Sequence, residues 1–458
     1  MNAGPIAHPL RLAPASLLAL HAAFPQRYPA LLESAAASAT LGRYDILFAF
    51  PEAKLVLDVD GSVHTDGPIA ASKGFLGTLD AWWSHERRPT PTDWRLPFQG
   101  GWLVFLGYEL ATFIESRLEL PLPRQGPIAQ AIRIPMAIIV EHASDSAWII
   151  AEAHAQDRIA QVQSDLAALD ASAVPPGSLI QGDVVEEEPH RFTHAVARAL
   201  DYIGAGDIYQ ANLSRAWRAR LAEGVQPHHI YARLRQTNPA PFCALAQLDE
   251  LAIVSSSPER LIEIRDGWAS TRPIAGTRPR ANDRSRDHDL ARELHAHPKE
   301  RAEHVMLIDL ERNDLGRICA AGTVEVNELM VLESYAHVHH IVSNVRGRLR
   351  ADVTPGRALG AVFPGGTITG CPKIRCMQII AQLEGEPRGA YTGSLGYLNR
   401  DGSLDMNILI RSLEVRGSAL TLRAGAGIVA DSVPERELEE TRAKARGVLR
   451  ALTQEREP

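Results

Sequence analysis

Residues 419–452 read ALTLRAGAGIVADSVPERELEETRAKARGVLRAL. Ala419-Leu-Thr-Leu-Arg alternates apolar and polar side chains, the period of a strand with one buried face. Arg423-Ala-Gly-Ala-Gly-Ile-Val-Ala-Asp431 then reads as a short glycine-rich turn. Gly425 and Gly427 permit close backbone approach there, so exposed amides can hold an anion. Val433 to Leu452 reads as a charged helix, with Pro434 in its first turn and acidic residues near its start. Around this stretch helices and strands mix without a βα period. Arg191 to Ile203 and Pro298 to Leu310 have helical spacing, whereas Ala252-Ile-Val-Ser-Ser is extended. Such irregular alternation predicts an α+β fold rather than a repeated βα barrel.

Toward the N-terminus, Asp45-Ile-Leu-Phe-Ala-Phe, Ala53-Lys-Leu-Val-Leu-Asp-Val and Ala147-Trp-Ile-Ile-Ala are strand-like runs bounded by Pro, Gly and Asp. His154 to Leu169 has the apolar spacing of a helix. Composition shifts from Val174-Pro-Pro-Gly-Ser178 to Glu186-Glu-Glu-Pro189, which predicts a surface connection over 173–189. It separates an N-terminal region, 1–172, from a catalytic region, 190–455. The chain shows no repeat at a solenoid period and no low-complexity tract.

Its 458 residues exceed one typical core, and 45% hydrophobic with 22% charged residues is ordinary for a globular protein. A net charge of -7 leaves no basic excess for phosphates, so nucleic acid is not the expected partner. Four cysteines suggest reduced thiols rather than a disulfide framework. No apolar run approaches the roughly 18 residues that span a bilayer, so no membrane partner is expected. Ala15 to Phe24 faintly imitates the apolar part of an export signal, but His21 interrupts it and only Arg11 precedes it. A cytoplasmic location is therefore expected.

Two acidic pairs carry the first chemical signal. Glu300 and Glu303 open one predicted helix, Glu437 and Glu440 another, and a spacing of three puts each pair on one helical face. Brought together, the four carboxylates would suit magnesium, which takes oxygen ligands. Acidic residues at helix starts also simply complement the dipole. Phe363-Pro-Gly-Gly-Thr-Ile-Thr-Gly-Cys-Pro-Lys373 is dense in small and hydroxylated residues but lacks Walker spacing, so no nucleotide site is read there. In Ala336-His-Val-His-His340, a strand would put His337 and His339 on one face and His340 on the other, which argues against a compact zinc site.

The ordered string of motifs resembles the chorismate-utilising enzymes: anthranilate synthase component I, aminodeoxychorismate synthase component I, and the isochorismate and salicylate synthases. The matching pieces are Gly206-Asp-Ile-Tyr-Gln-Ala-Asn-Leu-Ser-Arg215, Ser255-Ser-Ser-Pro-Glu-Arg260, Arg272-Pro-Ile-Ala-Gly-Thr-Arg-Pro-Arg280 and Glu300 to Gly316. They continue through His339 to Asn344, Phe363 to Lys373, Asp405 to Arg411, Ala424 to Asp431 and Glu437 to Lys444. The resemblance implies the chorismate-binding α+β fold: two mixed β-sheets packed face to face with helices outside, in α/β/β/α layers. The N-terminal region would add strands to the same body.

The resemblance also implies roles. Glu303 and Glu440 look like Mg2+ ligands, supported by Glu300 and Glu437. Arg411 and Lys444, with the amides of Gly425 and Gly427, look like the clamp on chorismate's carboxylates. Tyr391 and Thr367 line that pocket, His340 stands beside the departing hydroxyl, and Glu259 is a general acid/base. Gln210 occupies the place where water-adding members carry a lysine base, which points to amination.

The two aminating branches leave conflicting marks. Ala275 stands where the well-known aminodeoxychorismate synthases carry a nucleophilic lysine, an anthranilate synthase trait, as is Ser343-Asn344. Ala240-Pro-Phe242, Gly366-Thr-Ile-Thr-Gly370, Tyr391 to Gly402, Met406 to Arg411 and Gly42 to Pro51 resemble the other branch. The expected product is 4-amino-4-deoxychorismate, toward 4-aminobenzoate and folate, with anthranilate as the alternative. A non-catalytic, chorismate- or tryptophan-binding regulatory relative is the remote one. Leu31-Leu32-Glu33-Ser34 resembles the tryptophan-binding element of anthranilate synthases, and reads equally as a helix end packing its leucines inward. No glutaminase signature appears, so ammonia would come from a glutamine amidotransferase subunit or from free ammonium.

Overall fold

The computed structural model describes residues 4–13, 16–36, 42–71, 74–169, 177–281, 283–334 and 338–453. Its frame is two sheets, one of 12 and one of 11 strands, stacked face to face. Strict alternation builds the space between them. From the larger sheet Ile46, Phe48, Ile139, Ile150 and Ile253 point inward; from the other come Leu103, Phe105, Ile132 and Tyr397. The intervening residues face out. Leu47, Ile138 and Leu245 pack under Leu20, Tyr231, Leu234 and Val448 of covering helices, while Trp102 and Val104 pack under Leu79, Trp82 and Leu359. The layers are thus helix, sheet, sheet, helix, the expected α+β sandwich.

Three local expectations are corrected. Every strand ladder among the described residues is antiparallel, so the sheets are not mixed. Short hairpins such as Phe242–Leu248 to Leu251–Ser257 can close only antiparallel pairs. Second, the middle of the acidic connection is a strand, Ile180–Glu186, which pairs with Gln210–Leu221. It lies at the sheet edge with mostly solvent-facing side chains, which is why it reads as a loop; 170–176 lie outside the described residues. Third, the glycine-rich segment is no turn: the strand runs unbroken over Ala419–Ile428.

The helices follow expectation more closely. Pro189–Gly204, Pro298–Gly316 and Pro434–Leu452 each start with Pro in the first turn, where its missing N–H costs nothing. His154 to Leu169 is a 3-10 turn, Ala153–Arg158, running into a helix, Ile159–Ala167. Ser16–Ala23 is a helix that buries Leu17, Leu18 and Leu20. No helix among the described residues is long and apolar enough to cross a membrane.

Strands from before and after 173–189 interleave in both sheets. Ala30–Glu33 lies between Tyr44–Ala49 and Phe242–Leu248, and Gly101–Leu106 between Ala129–Ile134 and Ser394–Asn399.

Candidate active site

The site grows from the strand pair Gln210–Leu221 and Ala419–Ile428, in register Asn212 to Gly427 and Ser214 to Gly425. Glycine is required on the second strand because neighbours fill the space. A Cβ on Gly425 would stand 2.7 Å from both the Tyr391 hydroxyl and Asn212 Oδ1; one on Gly427 would stand 2.6 Å from Gln210 Nε2. Gln210 Nε2 donates to Glu303 Oε1 at 2.9 Å, which ties this strand to the Pro298–Gly316 helix. From the Pro434–Leu452 helix, Lys444 Nζ donates to the Gly425 carbonyl at 3.0 Å and pairs with Glu440 at 2.8 Å. Gln210, Glu303, Gly425, Gly427, Tyr391, Lys444 and Glu440 therefore meet as one neighbourhood.

A second set faces it. Glu259, 4% exposed, follows the strand Leu251–Ser257. Burial raises its carboxyl to about 7, against the pull of the Thr367 hydroxyl, the Ile274 amide, Arg411 and Lys444. The buried Gln210 Oε1 and Asn212 Oδ1 complete no hydrogen bond within the protein, while Glu259 turns to the Thr367 hydroxyl. Buried polar atoms are normally paired, so these two unpaired acceptors, on one strand face beside Gly425 and Gly427, mark a place meant for a polar ligand. Arg411, at φ +53, holds the left-handed backbone that non-glycine residues adopt mainly where surroundings force it. Burial lowers its pKa and Glu259 raises it. His340 lies on the strand Val338–Arg348, opposite the strand that carries Ala275. Burial holds its imidazole down to about 3, with Arg411 adding to the fall and a hydrogen bond with the Gly276 backbone opposing it. It is neutral at physiological pH.

Ala275 is buried on the strand Ile274–Pro279, and its methyl offers no nucleophile. Beside it, a Cβ on Gly276 would stand 2.9 Å from Glu300 Oε2, and Glu300 accepts from Arg278 at 3.2 Å. Glu437 lies in the first turn of its helix, one turn before Glu440. Burial raises the Glu303 carboxyl, with Glu300 and Glu440 adding to the rise and Gln210 and Lys444 opposing it. Among the described residues no three metal-ligating side chains converge on one point. The donor set is nevertheless all carboxylate, and mutual repulsion among Glu303, Glu300 and Glu440 is what a hard divalent cation would relieve.

Leu32, Glu33 and Ser34 lie elsewhere. They sit on and just after a strand, Ala30–Glu33, not at a helix end. Glu33 accepts from Tyr231 and Arg235, and Ser34 lines a cavity of about 820 Å³ with Leu12, Leu17, Asp45 and His142. Of the histidine string, His339 bonds to Ser334 and Asp287, and His337 lies outside the described residues. Sequence reasoning missed Asn212. Its signal was period two: it follows Gln210 on the same strand face.

A profile of the chorismate binding enzyme family matches residues 48–450. The chain belongs to that family and is a chorismate-utilising enzyme. It is 43% identical over 365 residues, 78% of this chain and 73% of the relative, to an anthranilate synthase component I-like protein of Synechocystis sp.. It is 37% identical over 442 residues, 93% and 92% of the two chains, to aminodeoxychorismate synthase component 1 of Bacillus subtilis. The crystal structure of anthranilate synthase component I from Streptococcus pneumoniae superposes with a TM-score of 0.79 at 31% identity, covering 90% of this chain and 93% of that one.

Proposed function

We propose that this enzyme aminates chorismate with ammonia to give 4-amino-4-deoxychorismate, the precursor of 4-aminobenzoate in folate synthesis. The observation that supports amination is Gln210, bonded to Glu303, at the place where hydration would need a water-activating lysine. Glu259, poised near 7, is protonated in a useful fraction of molecules at neutral pH and supplies the proton with which the ring hydroxyl leaves as water. Neutral His340 and the Thr367 hydroxyl flank that departure. Arg411 and Lys444, with the backbone at Gly425 and Gly427 and the Tyr391 hydroxyl, hold the two substrate carboxylates. Glu303 and Glu440, supported by Glu300 and Glu437, would hold Mg2+, which supplies charge stabilisation for the substrate's ring carboxylate. The amide of Gln210 orients incoming ammonia and cannot act as a base.

The word component in the relatives' names supports a partner subunit, read here as a glutamine amidotransferase that delivers ammonia. Ala275 favours the second reading, anthranilate synthesis, and excludes an enzyme adduct at this position in either case. One assay separates the two: purified protein with chorismate, ammonium and magnesium. A 4-amino product that a lyase converts to 4-aminobenzoate supports the proposal; fluorescent anthranilate as main product overturns it. The non-catalytic reading is disfavoured because all four metal positions carry Glu. The cavity beside Leu32, Glu33 and Ser34 supports tryptophan as structural or regulatory ligand. Calorimetric titration with tryptophan tests this, and no heat at millimolar ligand would discard it.

A further inference from the structure

Glu311 has no place in the chemistry above, yet it is one of the most deeply buried carboxyls in the molecule, at 6% exposed. It lies on the Pro298–Gly316 helix, which also carries Glu300, Glu303 and Asp314. At 100° per residue all four fall within an arc of roughly 80°, so one helix face runs carboxyls from the metal end into the interior. The turn at Gly366 rests on this face: a Cβ there would stand 2.5 Å from Leu310 Cδ2 and 3.3 Å from Glu311 Oε1. The next residue is Thr367, whose hydroxyl lies beside Glu259. Thr271, 1% exposed, turns its hydroxyl to Glu311 from the adjoining strand.

The groups around Glu311 are Asp314 on its own helix, Lys373 at the start of the Lys373–Glu384 helix, and Glu259. Lys373 is paired with Asp314, whose other cationic neighbour is Arg317. Arg411 and Lys444 act on Glu259 by their charge. Lys373 is thus engaged by Asp314, and among the described residues Glu311 forms no ion pair of its own. Burial pushes the Glu311 carboxyl well above the ordinary range, Asp314 and Glu259 adding to the rise and Lys373 opposing it. An acid so placed stays protonated where a surface glutamate is ionised.

We propose that Glu311 is the proton reserve of Glu259: a positioning residue that returns a proton to Glu259 after each turnover. This rests on the reading of Glu259 as the acid that protonates the leaving hydroxyl. Once Glu259 has given its proton to the departing water, substrate and product cover it on the pocket side. The Glu311 O–H bond then breaks and a new O–H forms on Glu259, the Thr367 hydroxyl beside Glu259 accepting one proton as it gives up its own. Glu311 is left as carboxylate beside the Lys373 ammonium until solvent protonates it. The task explains why a carboxylic acid, rather than an apolar side chain, is kept in a spot where burial is costly.

The test is Glu311→Gln, which keeps size and hydrogen bonding and removes the transferable proton. The expected result is a fall in kcat of about tenfold or more, with KM for chorismate within about twofold and a larger solvent deuterium isotope effect on kcat. At neutral pH the infrared band of a protonated carboxyl should also be lost relative to the unaltered enzyme. A folded variant with unchanged kcat and isotope effect, or with no band lost, overturns the proposal. Should the variant fail to fold, Glu311→Asp must show the same split between kcat and KM in milder form, and a wild-type profile there overturns it equally. Glu259→Gln separates the two readings. If it retains normal turnover, the assignment of Glu259 falls; if it is inactive while Glu311→Gln is normal, only the reserve falls.

Discussion

At Glu259 two forces oppose each other: burial raises its carboxyl to about 7 while Thr367, the Ile274 amide, Arg411 and Lys444 pull it down. The acid form is the working one in the proposed step, so kcat should decline as pH rises through about 7, a trend readable from a pH–rate profile. Glu259→Gln should cost roughly 10²–10⁴-fold and remove that limb. Glu440 makes a contrasting case. Its side chain is 47% exposed and pairs with Lys444, so Glu440→Gln should leave the melting temperature nearly unchanged. Turnover should nonetheless nearly vanish, because the proposed magnesium ligand loses charge and geometry together. Near-normal kinetics at limiting magnesium would remove Glu440 from the ligand set. These residues were legible in the sequence only as members of ordered motifs. Nothing in the isolated string Ser-Pro-Glu announces a carboxyl that burial lifts to about 7, because burial depends on strands distant in sequence.

Elements were legible wherever pattern and environment agree. The helix over Pro434–Leu452 carries Pro at its start, acidic residues in its first turn and a buried stripe of Leu438, Thr441, Ala445 and Val448, all of it local information. The strand Ala419–Ile428 was half legible. Its alternating start announced itself, but Gly425 and Gly427 read as a turn because a glycine's neighbours across the sheet are invisible in sequence. The edge strand Ile180–Glu186 failed for the opposite reason, since its charged side chains face water. The glycines permit a sharp test. Gly427→Ala puts a methyl 2.6 Å from Gln210 Nε2 and 3.5 Å from Glu303 Oε1, where only side chains must move. Gly425→Ala meets the Leu213 carbonyl at 2.6 Å, so backbone must shift. The first variant should fold and lose turnover by at least about tenfold; the second should also destabilise by about 1–3 kcal/mol. Thermal melts alongside kinetics check the difference, and a fully active Gly427→Ala enzyme would detach Gln210 and Glu303 from the site.

On the scale of the whole molecule, the two halves of the sequence do not make two bodies. Removing residues 1–189 would strip Gly101–Leu106 from beside Ser394–Asn399 and Ala30–Glu33 from beside Phe242–Leu248, exposing two long edges and the inter-sheet core. A fragment of 190–458 should therefore give no cooperative melt by circular dichroism; a sharp transition would show that the later half folds alone. The intact body in turn bears on where its ammonia comes from. Releasing ammonia from glutamine takes a nucleophile, in amidotransferases of this chemistry a thiolate. The chain offers four free thiols, and burial raises each of them: Cys319 to about 11, Cys243 and Cys376 to about 12, and Cys371 in the same direction. Arg350 beside Cys319 and Arg375 beside Cys376 oppose the rise without overcoming it, so neither thiol reaches the range of an activated cysteine. Cys376 instead spends its Sγ on the Gln210 carbonyl at 3.0 Å, a structural contact at the site's own strand. Glutamine should thus be inert with the isolated chain at any pH near neutral, while ammonium supports turnover and improves as pH rises and more of it is free ammonia. That rise works against the fall from Glu259, so ammonium-dependent activity should peak at mildly alkaline pH rather than climb without limit. Adding an amidotransferase subunit should make glutamine a substrate and flatten the dependence on ammonia ionisation. Glutamine-dependent product from the homogeneous chain alone, surviving replacement of all four cysteines by serine, would break this account at its first step.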